Sequence, residues 1–197
     1  MRERIIFLLV LWFTGSFLFN ACLAQEKEQM KALMIIAPND FRDEELFQPK
    51  EILEESGIKV TVASRSLSSA RGMLGGKITP DIKIDDVDVS NFDAIVFVGG
   101  RGASMYWDDS VAHKIARQAH SLNKVLAAIC IAPVTLANSG LLKGKRATVW
   151  SSEATKIKLK GAIYTGKPLE KDGNIITASG PAAARDFGKE IVEALLK

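Results

Sequence analysis

The chain has 197 residues, with 26 Lys and Arg against 23 Asp and Glu, a formal net charge of +3, two cysteines and two histidines. That balance, with no Lys/Arg cluster, excludes a phosphate-tracking nucleic-acid binder. Two cysteines are too few for a disulfide scaffold, and with His113 and His120 they supply no metal-ligand set.

In chain order, Arg2 and Arg4 form a short positive head and Ile5 to Phe19 is almost wholly apolar. The small residues Ala21, Cys22 and Ala24 then precede a polar run from Gln25. This order predicts a secretory signal peptide over residues 1–24, leaving residues 25–197 as one exported, periplasmic or envelope-associated domain. Two other attachments stay open. About 15 to 19 apolar residues approach the length of an uncleaved membrane anchor, and Cys22 lies in a faint lipoprotein-like context. Cleavage leaves about 173 residues, enough for one sizeable core. It also lowers the formal charge to +2 and leaves Cys130 as the sole thiol. A lone thiol in an oxidising compartment is a liability unless it is buried or used.

From Lys31 onward strands and helices alternate. Ala32 to Ile36 is a continuous apolar run, as expected of a buried parallel strand. A helix is predicted over Leu46 to Ser56, stopped by Gly57, followed by a strand over Lys59 to Ala63. Gly72 to Asp88 reads as an irregular hairpin excursion. The strand Asp93 to Val98 runs into Gly99-Gly100, a helix spans about Ser110 to Ser121, and a strand over Val125 to Ile129 leads directly into Cys130. Another helix starts near Pro133, a short strand covers Ile175 to Ala178, and a last helix covers Pro181 to Leu196 with proline in its first turn. The pattern predicts an α/β, flavodoxin-like, doubly wound and mostly parallel sheet with helices on both faces.

Chemistry in such folds gathers at the carboxyl ends of the strands. Cys130 lies there at a strand-to-helix junction, the position of a nucleophile elbow. The following helix's amides favour a thiolate, whereas a plain buried hydrophobe is the alternative. The Gly99-Gly100 turn can offer backbone amides to an anion, or be an ordinary turn. The acidic run Asp43-Glu44-Glu45 reads mostly as a solvated helix start. One member turned inward toward the thiol would have to be protonated. His120 lies about 18 Å down a helix of about 12 residues, too far to reach Cys130 in the same subunit, and His113 is placed poorly for it.

Ala127-Ala128-Ile129-Cys130-Ile131-Ala132-Pro133 resembles the nucleophile elbow of the PfpI superfamily of thiol hydrolases, which includes a Parkinsonism-associated branch. Glu45, Pro49 and Gly57, the strand ending in Gly99-Gly100, and the tail from Glu170 through Gly180-Pro181 to Leu195 fit the same pattern. The resemblance implies that Cys130 is the reactive thiol, Glu45 its protonated partner, and the Gly100 and Ile131 amides an anion cradle beside Gly99. It also implies a homodimer, no metal or organic cofactor, and a small-molecule or protein-adduct substrate. Trp150, Arg101 and Pro181 are pocket candidates. Three departures stand out. Ile131 follows the cysteine where peptidase-like members carry histidine, Trp150 stands where the Parkinsonism-associated branch carries another, and Ala132 replaces a common glycine. Trp150 is expected either to pack in the core or to wall the site. Three functions follow as expectations. They are a glyoxalase- or deglycase-like thiol hydrolase acting on reactive carbonyl or glycated substrates, a redox sensor whose Cys130 oxidises to sulfinate, and a cysteine peptidase. The thiol is expected to ionise below the usual cysteine range, the amides outweighing the apolar neighbours.

Overall fold

The computed structural model describes residues 29–197, so the predicted leader and Cys22 lie outside the described residues. Strand β1 (Lys31–Ile35) is followed by the short β2 (Asn39–Phe41), helix α1 (Asp43–Glu55) and strand β3 (Lys59–Ser64). The excursion contains β4 (Ala70–Gly72) and β5 (Lys77–Ile78), paired antiparallel, with β2 parallel to β4. Then come β6 (Ile82–Lys83), β7 (Ala94–Phe97), α2 (Ser110–Ser121), β8 (Val125–Ile129) and α3 (Pro133–Asn138). The chain closes with β9 (Arg146–Ala147), α4 (Ala154–Leu159), β10 (Ile163–Tyr164), β11 (Leu169–Asp172), β12 (Ile175–Ala178) and α5 (Ala184–Leu196).

The main sheet runs β11-β12-β8-β7-β1-β3-β6, and only β11 is antiparallel to its neighbour. This is the doubly wound architecture that the alternation of elements predicts. Residues alternate between its two faces because successive strand side chains point to opposite sides. Leu33, Ile35, Ile95, Phe97, Leu126 and Ala128 join the core under α2, α3 and α4. Ala32, Met34, Val96, Ala127 and Ile129 join the core under α1 and α5. A Cβ at Gly188 would lie 2.9 Å from the Pro49 Cα, so glycine there lets α5 close directly onto α1.

Several boundaries differ from the sequence reading. Helix α1 begins three residues earlier than predicted, at Asp43, so the acidic run forms its first turn. The predicted helix from Pro181 starts as a 3-10 turn, Pro181–Ala183, before becoming α-helical. The stretch after α3 carried no predicted element, yet it holds α4 and the two-stranded β9/β10 ladder. Its elements are too short for hydrophobic period to reveal.

The strand order reverses between β1 and β7. Doubly wound sheets open a crevice at such a point, outside the carboxyl ends of the strands. Glu45 follows β1, Gly99 and Gly100 follow β7, and Cys130 follows β8. The crevice therefore collects all four.

Candidate functional site

Cys130 has φ +63°, a left-handed conformation rare for a side chain larger than glycine's. Both of its peptide groups are pinned. Its N–H donates to the Ala178 carbonyl at 2.9 Å, and its carbonyl accepts from the Trp150 N–H at 2.8 Å. These two bonds hold the strained turn, which such positions require from their surroundings. The turn aims the sulfur at the crevice, not down the strand.

Gly99 and Gly100 serve different purposes. A Cβ on Gly99 would lie 2.3 Å from Glu45 Oε2 and 2.5 Å from the Cys130 Cβ. Glycine there lets carboxyl and thiol share one space. Gly100 has φ +91°, and a Cβ on it would lie 2.3 Å from the Arg42 nitrogen. Its amide and that of Ile131 both act on the Cys130 sulfur and favour its charged form. The helix after Cys130 is only six residues long, so these two local amides contribute more than any helix dipole.

Two members of the acidic run turn inward, not the single one the sequence suggested. Glu45 is fully buried and neither of its oxygens has a well-aligned hydrogen-bond partner. Burial pushes its pKa up to about 8, against the opposing pull of Cys130 beside it. A carboxyl this dry stays protonated at neutral pH. Asp43, also buried, accepts hydrogen bonds from the Leu74 and Gly76 amides at 2.7 Å each. It thereby ties the turn after β4 to the first turn of α1. Glu44 pairs with Arg42 at 2.8 Å.

The thiol departs from its sequence-based expectation. Burial is the largest influence on Cys130 and, with the charge of an ionised Glu45, pushes its pKa up to about 12. The Gly100 and Ile131 amides oppose this and lose. Ile129 and the elbow's apolar surroundings dry the sulfur more than an open strand end would. Carboxyl and thiol titrate as one pair. The pair loses its first proton near 8, and the charge then on Glu45 helps keep the second proton on sulfur.

Above the sulfur is a cavity of about 500 Å3 whose lining includes Cys130, Ile131, Gly100, Arg101, Trp150 and Pro181. All three pocket candidates therefore reach it. Trp150 is 46% exposed, so it walls the cavity and does not pack in the core. Its ring lies against Gly180, where a Cβ would come within 2.7 Å. Arg101 is largely exposed and pairs with Asp40 at 3.3 Å.

Sequence reasoning missed six lining residues, Arg42, Met73, Ser104, Trp107, Ser152 and Glu153. Trp107 Nε1 donates to the Ile131 carbonyl at 3.1 Å. Its own carbonyl accepts from Asn138 at 3.0 Å and from His113 Nε2 at 2.8 Å. His113 thus supports the wall of the cavity through Trp107. A Ser-Met-Tyr-Trp run carries no periodic signal that would have drawn attention to it. Among the described residues, no group of three or more His, Cys, Asp or Glu is placed to hold a metal ion.

A cysteine elbow at the switch point of a doubly wound sheet, with a buried carboxyl beside it, defines the class of cysteine-centred α/β proteins. Residues 30–194 match the family model described as the DJ-1/PfpI family, and the chain belongs to that family. An uncharacterized protein of Methanocaldococcus jannaschii is 41% identical, over 96% of this chain and 97% of its own length. A protein named a deglycase, from Pyrococcus horikoshii, is 31% identical over 84% of this chain and 99% of its own. The crystal structure of a ThiJ/PfpI domain protein from Brachyspira murdochii superposes with a TM-score of 0.83 at 32% identity. That match covers 85% of this chain and 98% of the other.

Proposed function

We propose that the protein is a cysteine-dependent enzyme acting on reactive carbonyl compounds, either free 2-oxoaldehydes or their adducts with amines and thiols. The observation that carries this reading is the placement of Cys130 in its left-handed turn beside the buried Glu45 carboxyl, at the base of an open cavity. The deglycase name of the Pyrococcus relative points the same way.

With Glu45 ionised, its carboxylate takes the thiol's proton as the Cys130 sulfur adds to the aldehyde carbon, and then gives that proton to the oxygen anion formed beside the Gly100 and Ile131 amides. The carboxylate next takes the hydrogen of the former aldehyde carbon as a proton, the hydroxyl proton passes to the neighbouring ketone oxygen, and Glu45 delivers its proton to the former ketone carbon. The aldehyde is oxidised as the ketone is reduced, so no external oxidant is needed. Water then cleaves the thioester, releasing a 2-hydroxy acid and returning the thiol. Steady-state turnover of methylglyoxal to lactate, lost in Cys130→Ala, tests the reading.

A second reading has one specific support, the absence of an imidazole from the cavity lining among the described residues. Peroxide would oxidise Cys130 to sulfenic acid and then to sulfinic acid, releasing one water at each step. The same amides and the Glu45 proton suit the resulting oxygens. Gain of two oxygens by intact mass, without turnover of any carbonyl compound, favours this redox sensor. Peptide hydrolysis is the weakest reading, since leaving-group protonation has no histidine to perform it.

Export is part of the proposal and rests on the leader pattern over residues 1–24. Among the described residues no helix is long and apolar enough to cross a membrane. Recovery of a mature N-terminus near Gln25 from the cell envelope supports export. A retained Met1 or a lipid on Cys22 identifies an anchor instead. A homodimer is proposed from the family resemblance, and light scattering at micromolar concentration tests it.

A further inference from the structure

We infer that the cavity above Cys130 is an aromatic slot that selects 2-oxoaldehydes bearing an aryl group over three-carbon ones. This deepens the carbonyl-directed reading above and rests on it. The cavity encloses about 500 Å3, within the range of about 300 to 1,000 Å3 typical of drug-sized ligands. A three-carbon dicarbonyl would leave most of it to water.

The walls are also chemically selective. Two indoles, Trp107 and Trp150, line one cavity with Met73, Ile131 and Pro181. Each indole is keyed to a different side of the reactive residue. Trp107 donates its ring N–H to the carbonyl of Ile131, and Trp150 donates its backbone N–H to the carbonyl of Cys130. Gly180 clears the space that the Trp150 ring occupies. These attachments fix where the aromatic surfaces lie relative to the sulfur, so a substrate ring and its carbonyl can be positioned together.

Trp150 is left 46% exposed in this state. A large apolar surface facing a cavity, held there by its neighbours, suits a ligand that covers it. An aryl ring does so by offset or edge-on contact, and the methionine thioether adds a favourable sulfur-aromatic neighbour. A methyl group in the same place covers little of either indole. The charged groups at the mouth do not counter this preference. Arg42 is paired with Glu44, Arg101 with Asp40 and Glu153 with Lys156, which leaves the carboxylate end of a product to the Gly100 and Ile131 amides.

The 2-hydroxy acid products separate the slot from the chemistry, because they bind without reacting. Isothermal titration calorimetry with mandelate and lactate should show mandelate binding at least about tenfold more tightly. Trp150→Ala should collapse that ratio to within about threefold, whereas Trp150→Phe, which keeps a ring, should preserve most of it. Circular dichroism of each variant checks that it is folded. Equal affinities for the two acids, or a ratio unmoved by Trp150→Ala in a folded protein, overturn the slot. Methylglyoxal turnover without a mandelate preference refutes the slot alone. A mandelate preference lost in Trp150→Ala, with no turnover of methylglyoxal or phenylglyoxal, supports the slot and sinks the carbonyl chemistry.

Discussion

Changing Glu45 to Gln should remove a large pH dependence of folding stability. In the folded protein this carboxyl keeps its proton until about 8, whereas an ordinary glutamate releases it near 4.5. Between those values the unfolded chain has lost a proton that the folded chain still binds, so stability falls as pH rises. The protonated group's contribution is fully present below about 4.5 and lost as pH rises through about 8. At about 1.4 kcal/mol per tenfold change, the whole span is worth about 5 kcal/mol. About 4 kcal/mol of it falls between pH 5 and pH 8.5. That is a large share of the roughly 5–15 kcal/mol by which domains are stable. Glutamine has nearly the same shape and cannot ionise. Urea unfolding of the parent and Glu45→Gln near pH 5 and near pH 8.5 isolates the effect, since titrations of groups away from the Glu45–Cys130 pair cancel in the difference. The difference should move by about 4 kcal/mol in the variant's favour at the higher pH. A difference that stays flat refutes the description of Glu45 as a buried carboxyl neutral at pH 7.

Three further outcomes are expected. Iodoacetamide should label Cys130 slowly near pH 6 and near pH 8 and speed up only at higher pH, with Glu45→Gln faster than the parent near pH 9 because the carboxylate repulsion is gone; rapid labelling at pH 6, followed by mass spectrometry, contradicts the raised thiol pKa. Gly99→Ala should destabilise the fold by about 1–3 kcal/mol in urea unfolding and disturb Cys130 labelling, since its Cβ would meet both Glu45 and Cys130 within 2.5 Å. Asp43→Ala should cost about 1–3 kcal/mol by leaving the Leu74 and Gly76 amides without their acceptor. It should also raise hydrogen exchange in the 73–76 turn, and protection equal to the parent's there would show that Asp43 does not hold it.

The sequence by itself determined the elements that periodicity and chain geometry control. Continuous apolar runs at Ala32 to Ile36 and Val125 to Ile129 mark strands buried on both faces, and their alternation with helices leaves few arrangements other than a doubly wound sheet. That sheet in turn places Cys130, Gly99 and Gly100 at one edge, so their juxtaposition is legible in the chain alone. Glu45 was identifiable through the family resemblance, because spacing alone does not say which of three consecutive acidic residues faces inward. Tertiary structure decided the quantities that depend on what surrounds an atom. Desolvation at Cys130 is set by neighbours from several distant segments, and it outweighs the two amides that local sequence makes visible. The orientation of Trp150 is likewise a matter of long-range contacts: a glycine thirty residues away gives its ring room, and the Cys130 carbonyl fixes its backbone. Trp107 joins the same cavity through a hydrogen bond across 24 residues of chain. Local pattern carries no record of such pairings, because hydrophobic period reports which face a residue occupies and not which distant residue it will meet there.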